Sequence, residues 1–183
     1  MALAPKDTMT VADFLAWAET QADQRYELLD GAVIAMASER AEHVRAKQSV
    51  FLSLRAAIAQ SGADCEAFMD GLAVKVDEFT AFIPDAIVNC GAPVPGDHLI
   101  ASQPVIVVEV RSPSTQHIDN SVKLLEYFRV ASLMHYIIVN TSKRAAVHHR
   151  RSNGDRIETS LIRSGDIVLD PPGLTIALED LLG

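Results

Sequence analysis

Cysteine is scarce in this sequence, which has only Cys65 and Cys90 among its 183 residues. Two cysteines are too few for the disulfide framework that stabilises small secreted domains. We therefore expect Cys65 and Cys90 to be small buried apolar residues in a reducing compartment.

Long apolar runs are also missing. No stretch approaches the roughly 18–20 consecutive apolar residues that a membrane span requires, and the N-terminus lacks the pattern of a signal peptide. These two absences predict a cytoplasmic protein that does not enter a membrane.

Basic residues are outnumbered, because 16 Lys and Arg stand against 24 Asp and Glu and give a formal net charge of -8. High-affinity binders of duplex DNA depend on Lys and Arg contacts to phosphates, so this charge argues against that class. The negative charge remains compatible with a nuclease, since an active site lined by carboxylates needs a metal ion to neutralise it. The one basic cluster, residues 148–151, is predicted to be a solvated hairpin tip, with contact to phosphate as the alternative.

What the sequence does contain is typical of a soluble globular protein, with 49% hydrophobic and 22% charged residues. A chain of this length can bury a sizeable core. We see no repeat, low-complexity tract or linker, so we expect residues 1–183 to form a single domain.

The most informative stretch is residues 104–115, a nearly continuous β-branched run that contains one carboxylate, Glu109. Such a run predicts a strand buried on both faces in the middle of a sheet. A buried ionised carboxylate must be compensated by a cation, a proton or hydrogen bonds. The candidates are Arg111, two positions along the same face, or a metal ion shared with a second acid.

A second acid lies upstream, where Pro84 and Asp85 open the apolar segment 86–90. If this segment pairs with the Glu109 strand, the two carboxylates meet. Mg²⁺ or Mn²⁺ is typically held by one or two carboxylates plus waters, so the pair suffices as an anchor. The alternative is that Asp85 ends a loop and Glu109 pairs with Arg111, and the residues alone leave both open.

Three helices are predicted between the strands. Thr10 can cap a first helix, Ser38 can cap a long helix over residues 39–60 that ends at Gly62, and residues 119–120 can cap a third. The apolar face predicted for the long helix consists of Val44, Gln48, Phe51, Leu52, Arg55 and Ile58.

Turn residues predict three β-hairpins, around residues 30–31, 70–71 and 152–155. The apolar strand 135–140 follows the third helix, so strand, helix and strand predict a right-handed crossover between parallel strands. Short strands and a helical turn are expected over residues 167–178.

Three polar residues in these elements have ordinary explanations when each is taken alone. Glu27 fits a solvent-facing strand position, and His43 fits a surface or half-buried helix position. Lys123 follows Asp119 by four residues, which is a favourable helix pair.

The order of these motifs resembles the PD-(D/E)XK signature of restriction-endonuclease-like nucleases and, more closely, the Uma-type family of small bacterial proteins with that fold. The residues that carry the resemblance are Met9-Thr10-Val11, Arg25-Tyr26-Glu27-Leu28, Asp30-Gly31, His43, Pro84-Asp85, Glu109-Val110-Arg111-Ser112-Pro113-Ser114-Thr115, Asp119, Lys123, Tyr127 and the segment 135–140.

The resemblance implies a mixed α/β fold, with a central mixed sheet flanked by helices and with N-terminal and C-terminal β-hairpins. It also implies that Asp85 and Glu109 bind Mg²⁺ or Mn²⁺. Glu27 would add a carboxylate or position water, and His43 would lie behind the metal ligands or contact phosphate. Ser112, Ser114 and Thr115 would donate hydrogen bonds to substrate, although a turn that caps the next helix explains these three residues equally well.

The sequence departs from the superfamily motif at Arg111, where a lysine is expected. Arginine stays protonated and cannot act as a general base, but it can stabilise negative charge on a phosphoryl group. Lys123 is then the candidate for the displaced lysine.

The implied reaction is metal-dependent hydrolysis of phosphodiester bonds in nucleic acid, with DNA as the expected substrate and a homodimer as the expected assembly. The alternative from another class is a catalytically silent binding or assembly module with the same fold. The acidic net charge, the absent motif lysine and the thin basic surface favour the silent module, whereas the retained Asp85 and Glu109 favour the nuclease.

Overall fold

The computed structural model describes residues 8–21, 24–111, 120–154 and 156–183. Within these ranges it contains a six-stranded sheet, a four-stranded sheet, a two-stranded ribbon and four helices. The helices are α1 (Val11–Ala18), α2 (Ala41–Ser61), α3 (Asn120–Tyr127) and α4 (Leu178–Leu182). The strands are β1 (Tyr26–Leu29), β2 (Ala32–Ala35), β3 (Cys65–Met69), β4 (Val74–Lys75), β5 (Ala81–Phe82), β6 (Ala86–Cys90), β7 (Pro104–Arg111), β8 (His135–Asn140), β9 (Ala145–Arg151), β10 (Ile157–Ile162), β11 (Asp166–Leu169) and β12 (Leu174–Ala177).

The six-stranded sheet has the order β10-β9-β8-β7-β6-β3 and is mixed. Strand β7 lies inside it, parallel to β8 on one side and antiparallel to β6 on the other. Strand β7 thus pairs with the strand that follows Asp85, which the residues alone left open, and the predicted parallel pairing of β7 with the strand after α3 is confirmed.

The two faces of this sheet pack against different layers, as the alternation of side chains along β7 predicts. Ile106, Val108 and Val110 contribute to a core shared with α2, α4 and the β11-β12 ribbon. Val107 lies on the opposite face, in a core that includes Phe82 and Tyr127. The strand is thus covered on both sides.

The predicted apolar face of α2 is wrong, because Val44 and Leu52 are 46% and 54% exposed. The buried stripe consists of His43, Ala46, Lys47, Val50, Leu54 and Ala57. Its alanines allow the helix to lie close to the sheet, and it contains a lysine and a histidine that a search for large apolar residues passes over. The N-cap is also Arg40 rather than Ser38, without a side-chain cap.

The four-stranded sheet has the order β2-β1-β5-β4, and α1 packs against it through Val11 and Phe14. The predicted β1-β2 hairpin is confirmed, with Leu29 paired to Ala32. Thr10 caps α1 by accepting the Asp13 N–H at 3.2 Å, also as predicted.

The hairpin predicted around Asp70 and Gly71 is wrong, although the turn itself forms with φ values of 55° and 77°. Strand β3 pairs with β6, whereas β4 pairs with β5 in the other sheet. Both residues adopt the left-handed conformation that a tight turn requires, but each flanking strand pairs with a more distant part of the chain. Asp70 is therefore held at the junction of the two sheets, where its N–H donates to the Asp85 carbonyl at 3.3 Å.

The expectation of two free cysteines is also wrong, since Cys65 and Cys90 form a disulfide. The register of β3 and β6 places the two residues directly opposite each other. Because the sequence suggested the wrong partner for β3, this pairing could not be anticipated.

The basic cluster 148–151 is not a solvated hairpin tip, because it lies within β9 and both of its histidines are buried. The Arg151 guanidinium donates to three backbone carbonyls, those of Phe128, Val130 and Leu133. Arg150 is exposed and pairs with Glu158 at 2.7 Å. The predicted β9-β10 hairpin is nevertheless confirmed.

None of the helices in the described ranges is both long enough and apolar enough to cross a lipid bilayer.

Candidate functional site

The pairing of β6 with β7 brings Asp85 and Glu109 together. Ala86 is opposite Val108, so Asp85 and Glu109 are the next residues towards the same end of the strand pair. Asp85 is 5% exposed, and its Oδ2 accepts the backbone N–H of Val110 at 2.6 Å. That bond fixes the orientation of the carboxylate relative to β7.

Glu109 receives two hydrogen bonds from α3. Lys123 Nζ donates to Glu109 Oε1 at 2.8 Å, and the Tyr127 hydroxyl donates to the same oxygen at 2.9 Å. These residues are four apart and project from one side of the helix. The buried acid in the middle of the sheet is thus compensated by a lysine from the crossover helix.

Lys123 also reaches a third acid, Glu27, because its Nζ lies 2.9 Å from Glu27 Oε1. Glu27 is only 4% exposed, so the solvent-facing interpretation is wrong for this residue. The same Oε1 accepts the backbone N–H of Ile83 at 3.0 Å. Strand β1 of the small sheet, strand β7 of the large sheet and helix α3 therefore converge on one ammonium group.

Burial and the neighbouring charges shift the pKa values of Glu109, Lys123 and Tyr127. Desolvation raises the pKa of Glu109 to about 7, with Asp85 and Glu27 acting in the same direction and Lys123 opposing them. Burial alone would lower the pKa of Lys123, but the carboxylates of Glu109 and Glu27 outweigh it and raise that pKa. Burial likewise raises the pKa of Tyr127, so its hydroxyl keeps the proton that it donates to Glu109.

A second group of charged residues lies on the other side of Asp85. His43 Nε2 is 3.5 Å from Asp85 Oδ1, and Lys47 Nζ is 3.9 Å from the same oxygen. Lys47 is 2% exposed and also contacts Glu39 at 2.5 Å and Asp70 at 2.8 Å. Asp85 is therefore the acid that the two groups share.

Arg25 completes this second group by pairing with Asp70 at 2.6 Å and with Glu39. Sequence reasoning missed four of the residues involved: Arg25, Glu39, Lys47 and Asp70. A signal was available for Lys47, which follows His43 by four residues and so lies on the same helix face. The contribution of Asp70 depends on the crossing of the chain between sheets, which no local pattern reveals.

Among the predicted site residues, the fold brings Glu27, His43, Asp85, Glu109 and Lys123 together. Arg111 is the last residue of β7, at the same end as Glu109, and is exposed. Ser112, Ser114 and Thr115 lie outside the described residues, as does Asp119. The catalytic and binding roles of all these residues remain predictions.

Two sets of donor atoms in the site could hold a cation. The first consists of the carboxylates of Asp85 and Glu109, which provide the hard oxygen ligands suited to Mg²⁺ or Mn²⁺. The second consists of Glu39, His43 and Asp85, each of which offers one ligand atom within 4.8 Å of the others.

Comparison with solved structures gives the fold that the family resemblance implied. A crystal structure from Anabaena variabilis, described as a "putative nuclease belonging to DUF820", matches with a TM-score of 0.76 at 14% identity, covering 95% of this chain and 97% of that one. The fold is therefore a mixed α+β, restriction-endonuclease-like fold.

Sequence comparison extends this result. The uncharacterised protein slr1290 of Synechocystis is 28% identical over 178 residues, which cover 96% of this chain and 92% of that protein. A family model described as "Uma2: Putative restriction endonuclease" matches residues 11–182. The chain belongs to the Uma2 family, as the resemblance implied.

Proposed function

We propose that this protein is a metal-dependent endonuclease that hydrolyses phosphodiester bonds in DNA, with residues 1–183 acting as a single domain. The observation that carries the proposal is the convergence of Asp85, Glu109, Lys123 and Glu27 at one end of the β6-β7 pair. Buried acids with a shared lysine are expensive to maintain for stability alone. The nuclease-like family and fold support this class of reaction.

Asp85 and Glu109 would hold Mg²⁺ or Mn²⁺. Both are buried or half-buried oxygen donors, and burial raises the pKa of Glu109 to about 7, so a divalent ion would offset the cost of ionising it. When bound, the ion supplies a Lewis acid for the phosphoryl oxygen and lowers the pKa of its water. The donor set therefore fits this cofactor.

Lys123 would offset the negative charge that develops on the phosphoryl group. The Glu109 and Glu27 carboxylates hold its pKa above the ordinary value, so it is an ammonium at working pH and not a general base. Glu27 fixes its direction, because it accepts from both Lys123 and Ile83 N–H. Arg111, at the exposed end of β7, would contact the same phosphate as a permanent cation.

His43 would act from behind Asp85, towards which its Nε2 points at 3.5 Å. Ser112, Ser114 and Thr115 would provide hydroxyl or backbone donors to the substrate, since they follow the strand that ends beside Glu109. We place the protein in the cytoplasm and expect it to act on duplex DNA as a homodimer.

A second candidate function is a catalytically silent binding or assembly module. The observation that favours it is the state of the two buried lysines, since Lys123 is already paired with two carboxylates and Lys47 with three. In such a module these lysines would neutralise the acids permanently and no ion would be needed.

The test is cleavage of supercoiled and linear DNA in the presence of Mg²⁺ or Mn²⁺. We expect wild-type protein to cut, and Asp85→Asn and Glu109→Gln to lose at least a hundredfold in rate, as removal of a catalytic charge does. The matched control is Asp97→Asn, an exposed acid in the loop between β6 and β7, which should keep wild-type activity. No cleavage by any of the four folded proteins would favour the silent module, and equal cleavage by all four would overturn the catalytic roles of Asp85 and Glu109.

A further inference from the structure

Strand β2 is an edge strand of the four-stranded sheet, and no strand pairs with its outer side in the described part of the chain. We propose that this edge is the interface of a homodimer, in which β2 pairs antiparallel with β2 of a second copy around a two-fold axis at Ile34. The interface goes beyond the homodimer expected above, because it specifies a strand and a register. It is inferred from the edge itself and does not require nuclease activity.

The first observation is a row of unpaired backbone groups on β2. The turn at residues 30–31 closes with Leu29 paired to Ala32, so the hydrogen bonds to β1 fall on alternate residues of β2 from Ala32 onwards. The N–H and C=O groups of Val33 and Ala35 consequently point away from β1. They have no partner among the described residues, and they form the template on which another strand can pair.

The second observation is the lack of protection along this edge. Residues 31–37 contain neither a charged residue nor a proline, and Ala32, Val33 and Ala35 are exposed. Natural edge strands are usually kept from pairing by charged side chains, proline or bulges. Two copies of a chain with a formal net charge of -8 repel each other, but not through a segment that carries no charge. The segment therefore suits a second copy of this chain.

A two-fold axis at Ile34 makes the edge self-complementary. Val33 of one copy then lies opposite Ala35 of the other, and the two residues exchange both of their backbone hydrogen bonds on each side of the axis. The two Ile34 side chains meet as a non-hydrogen-bonded pair, which is the closer kind of cross-strand pair. All the outward-pointing backbone groups of β2 are thus satisfied in one register.

Opposite charges mark the two ends of the segment. Asp30 precedes it, Arg40 follows it, and both residues are exposed. Antiparallel pairing brings the Asp30 end of each copy to the Arg40 end of the other. The symmetry therefore produces two attractive charge contacts and no repulsive one, which favours this partner and this direction of pairing.

The pairing would also fix the relative positions of the two candidate sites. Ile34 lies opposite Glu27 in the β1-β2 register, so the axis places both Glu27 residues on the same face of the joined sheet. Three strand spacings, about 14 Å, separate them. Joint action of the two sites on one duplex would rest on the function proposed above, whereas the pairing of the strands would not.

The first experiment is analytical ultracentrifugation of the full-length protein without metal or DNA. Val33→Pro removes an N–H that points away from β1, so the hairpin keeps its hydrogen bonds while the interface loses one on each side of the axis. Ile34→Lys places like charges directly opposite each other. The matched control is Val168→Lys, at a 57% exposed position on β11.

We expect wild type and the Val168 control to dimerise with the same dissociation constant. Each β2 variant should raise that constant at least about tenfold, because hydrogen bonds are lost or like charges meet at the axis. Circular dichroism and thermal melting establish that each variant is folded, and Val33→Pro and Ile34→Lys are independent of each other in this respect.

The second experiment tests the register by cysteine cross-linking. Two Ile34→Cys residues would lie directly opposite each other, within reach of a disulfide, so copper phenanthroline as oxidant should link the copies covalently. Ala32→Cys is the matched control, because it lies on the same face but about 14 Å from its symmetry mate. Cys65 and Cys90 are already paired with each other and do not interfere. We expect a non-reducing gel to show a linked dimer for Ile34→Cys alone.

A wild-type protein that stays monomeric, or a dimer that neither β2 variant weakens, would overturn the inference. Equal cross-linking of the two cysteine variants would overturn the register. Asp85→Asn should dimerise as wild type does, which separates this inference from the proposed function. A dimer that cuts no DNA would keep the interface and reject the nuclease, and a monomer that cuts DNA would do the reverse.

Discussion

Lys123 is the cation on which two buried acids depend. It donates to Glu109 at 2.8 Å and to Glu27 at 2.9 Å, and it is 8% exposed. Breaking a buried ion pair by removing one partner typically costs about 3–5 kcal/mol, because the other charge is left uncompensated.

Replacing Lys123 with methionine should therefore lower the free energy of unfolding by about 3 kcal/mol at pH 8. The loss should shrink towards pH 5, where Glu109 takes up a proton and needs no cation. Urea denaturation at both pH values measures this, with the exposed Lys143→Met as control. Equal stability of Lys123→Met and wild type at pH 8 would show that the pair contributes nothing.

The pKa of Glu109 gives metal binding a defined pH dependence. Because burial raises this pKa to about 7, the residue must lose a proton below that pH before it can bind an ion. Mg²⁺ affinity should fall about tenfold per pH unit below 7 and level off above it. Calorimetry at pH 6, 7 and 8 measures the slope, and a flat profile contradicts a role for Glu109 as ligand.

The raised pKa of Glu109 also makes the stability of the metal-free protein depend on pH. A carboxyl group whose pKa is higher in the folded state than in the unfolded state favours folding at low pH, and this contribution is lost as pH rises from about 4.5 to about 7. Glu109→Gln should remove that part of the slope in the stability of the metal-free protein, as measured by urea denaturation across this range.

At the scale of elements, a buried histidine pair joins the sheet to the C-terminal ribbon. His135 on β8 lies 2.9 Å from His148 on β9 and 2.8 Å from the carbonyl oxygen of Pro171. The carbonyl can only accept, so His135 donates from Nε2 and must accept at Nδ1 from His148. Both rings are neutral in this arrangement, and burial lowers the pKa of each to about 4.

This pair predicts destabilisation by mild acid. The histidine pKa is lower in the folded state than in the unfolded state, so the stability that neutral rings provide is complete above pH 6.5 and is lost as pH falls towards 4. At pH 5 one such histidine lowers the free energy of unfolding by about 2 kcal/mol relative to its value above pH 6.5. His148→Gln should flatten this part of the urea-denaturation profile, with the exposed His98→Gln as control. An unchanged slope in His148→Gln would contradict a buried, neutral His148 in the folded state.

Local patterns predicted the elements of this fold better than their faces and partners. The Thr10 cap, the Asp30-Gly31 hairpin and β7 follow from short-range chemistry. The face of α2 was wrong because Ala46 and Lys47, rather than Val44 and Leu52, meet the sheet. The partner of β3 was wrong because strand pairing across the chain overrides a favourable turn at Asp70.

The candidate site could likewise be predicted only in part. Asp85 and Glu109 could be expected together because a buried acid in a central strand needs a partner. Glu27, His43 and Lys123 were recognised only through the family resemblance, since each alone has an ordinary explanation. Lys47, Glu39 and Asp70 depend on how α2 packs against the junction of the two sheets, which the sequence pattern does not encode.

At the scale of the whole molecule, one covalent link ties the edge strand to the site strand. The Cys65–Cys90 disulfide joins β3 to β6, the strand that follows Asp85, across a separation of 25 residues. Closing a loop of this length stabilises a protein by about 3 kcal/mol. Reduction, or Cys65→Ser with Cys90→Ser, should lower the free energy of unfolding by about that amount, measured against oxidised wild type.

The Cys65–Cys90 disulfide also provides a test of the cellular compartment. Disulfides are rare in a reducing cytoplasm, so the cytoplasmic placement that we propose predicts reduced Cys65 and Cys90 in cells. Trapping thiols with a maleimide reagent at lysis measures their state. Full protection of both cysteines would place the protein in an oxidising compartment instead.

The proposed function depends on a divalent-metal site formed by Asp85 and Glu109 beside Lys123. The most direct test is a crystal structure of the protein soaked in Mn²⁺, with anomalous scattering to locate the ion. We expect an anomalous peak in contact with carboxylate oxygens of both residues and its loss in crystals of Asp85→Asn. Saturating Mn²⁺ with no anomalous peak at this pair would contradict it.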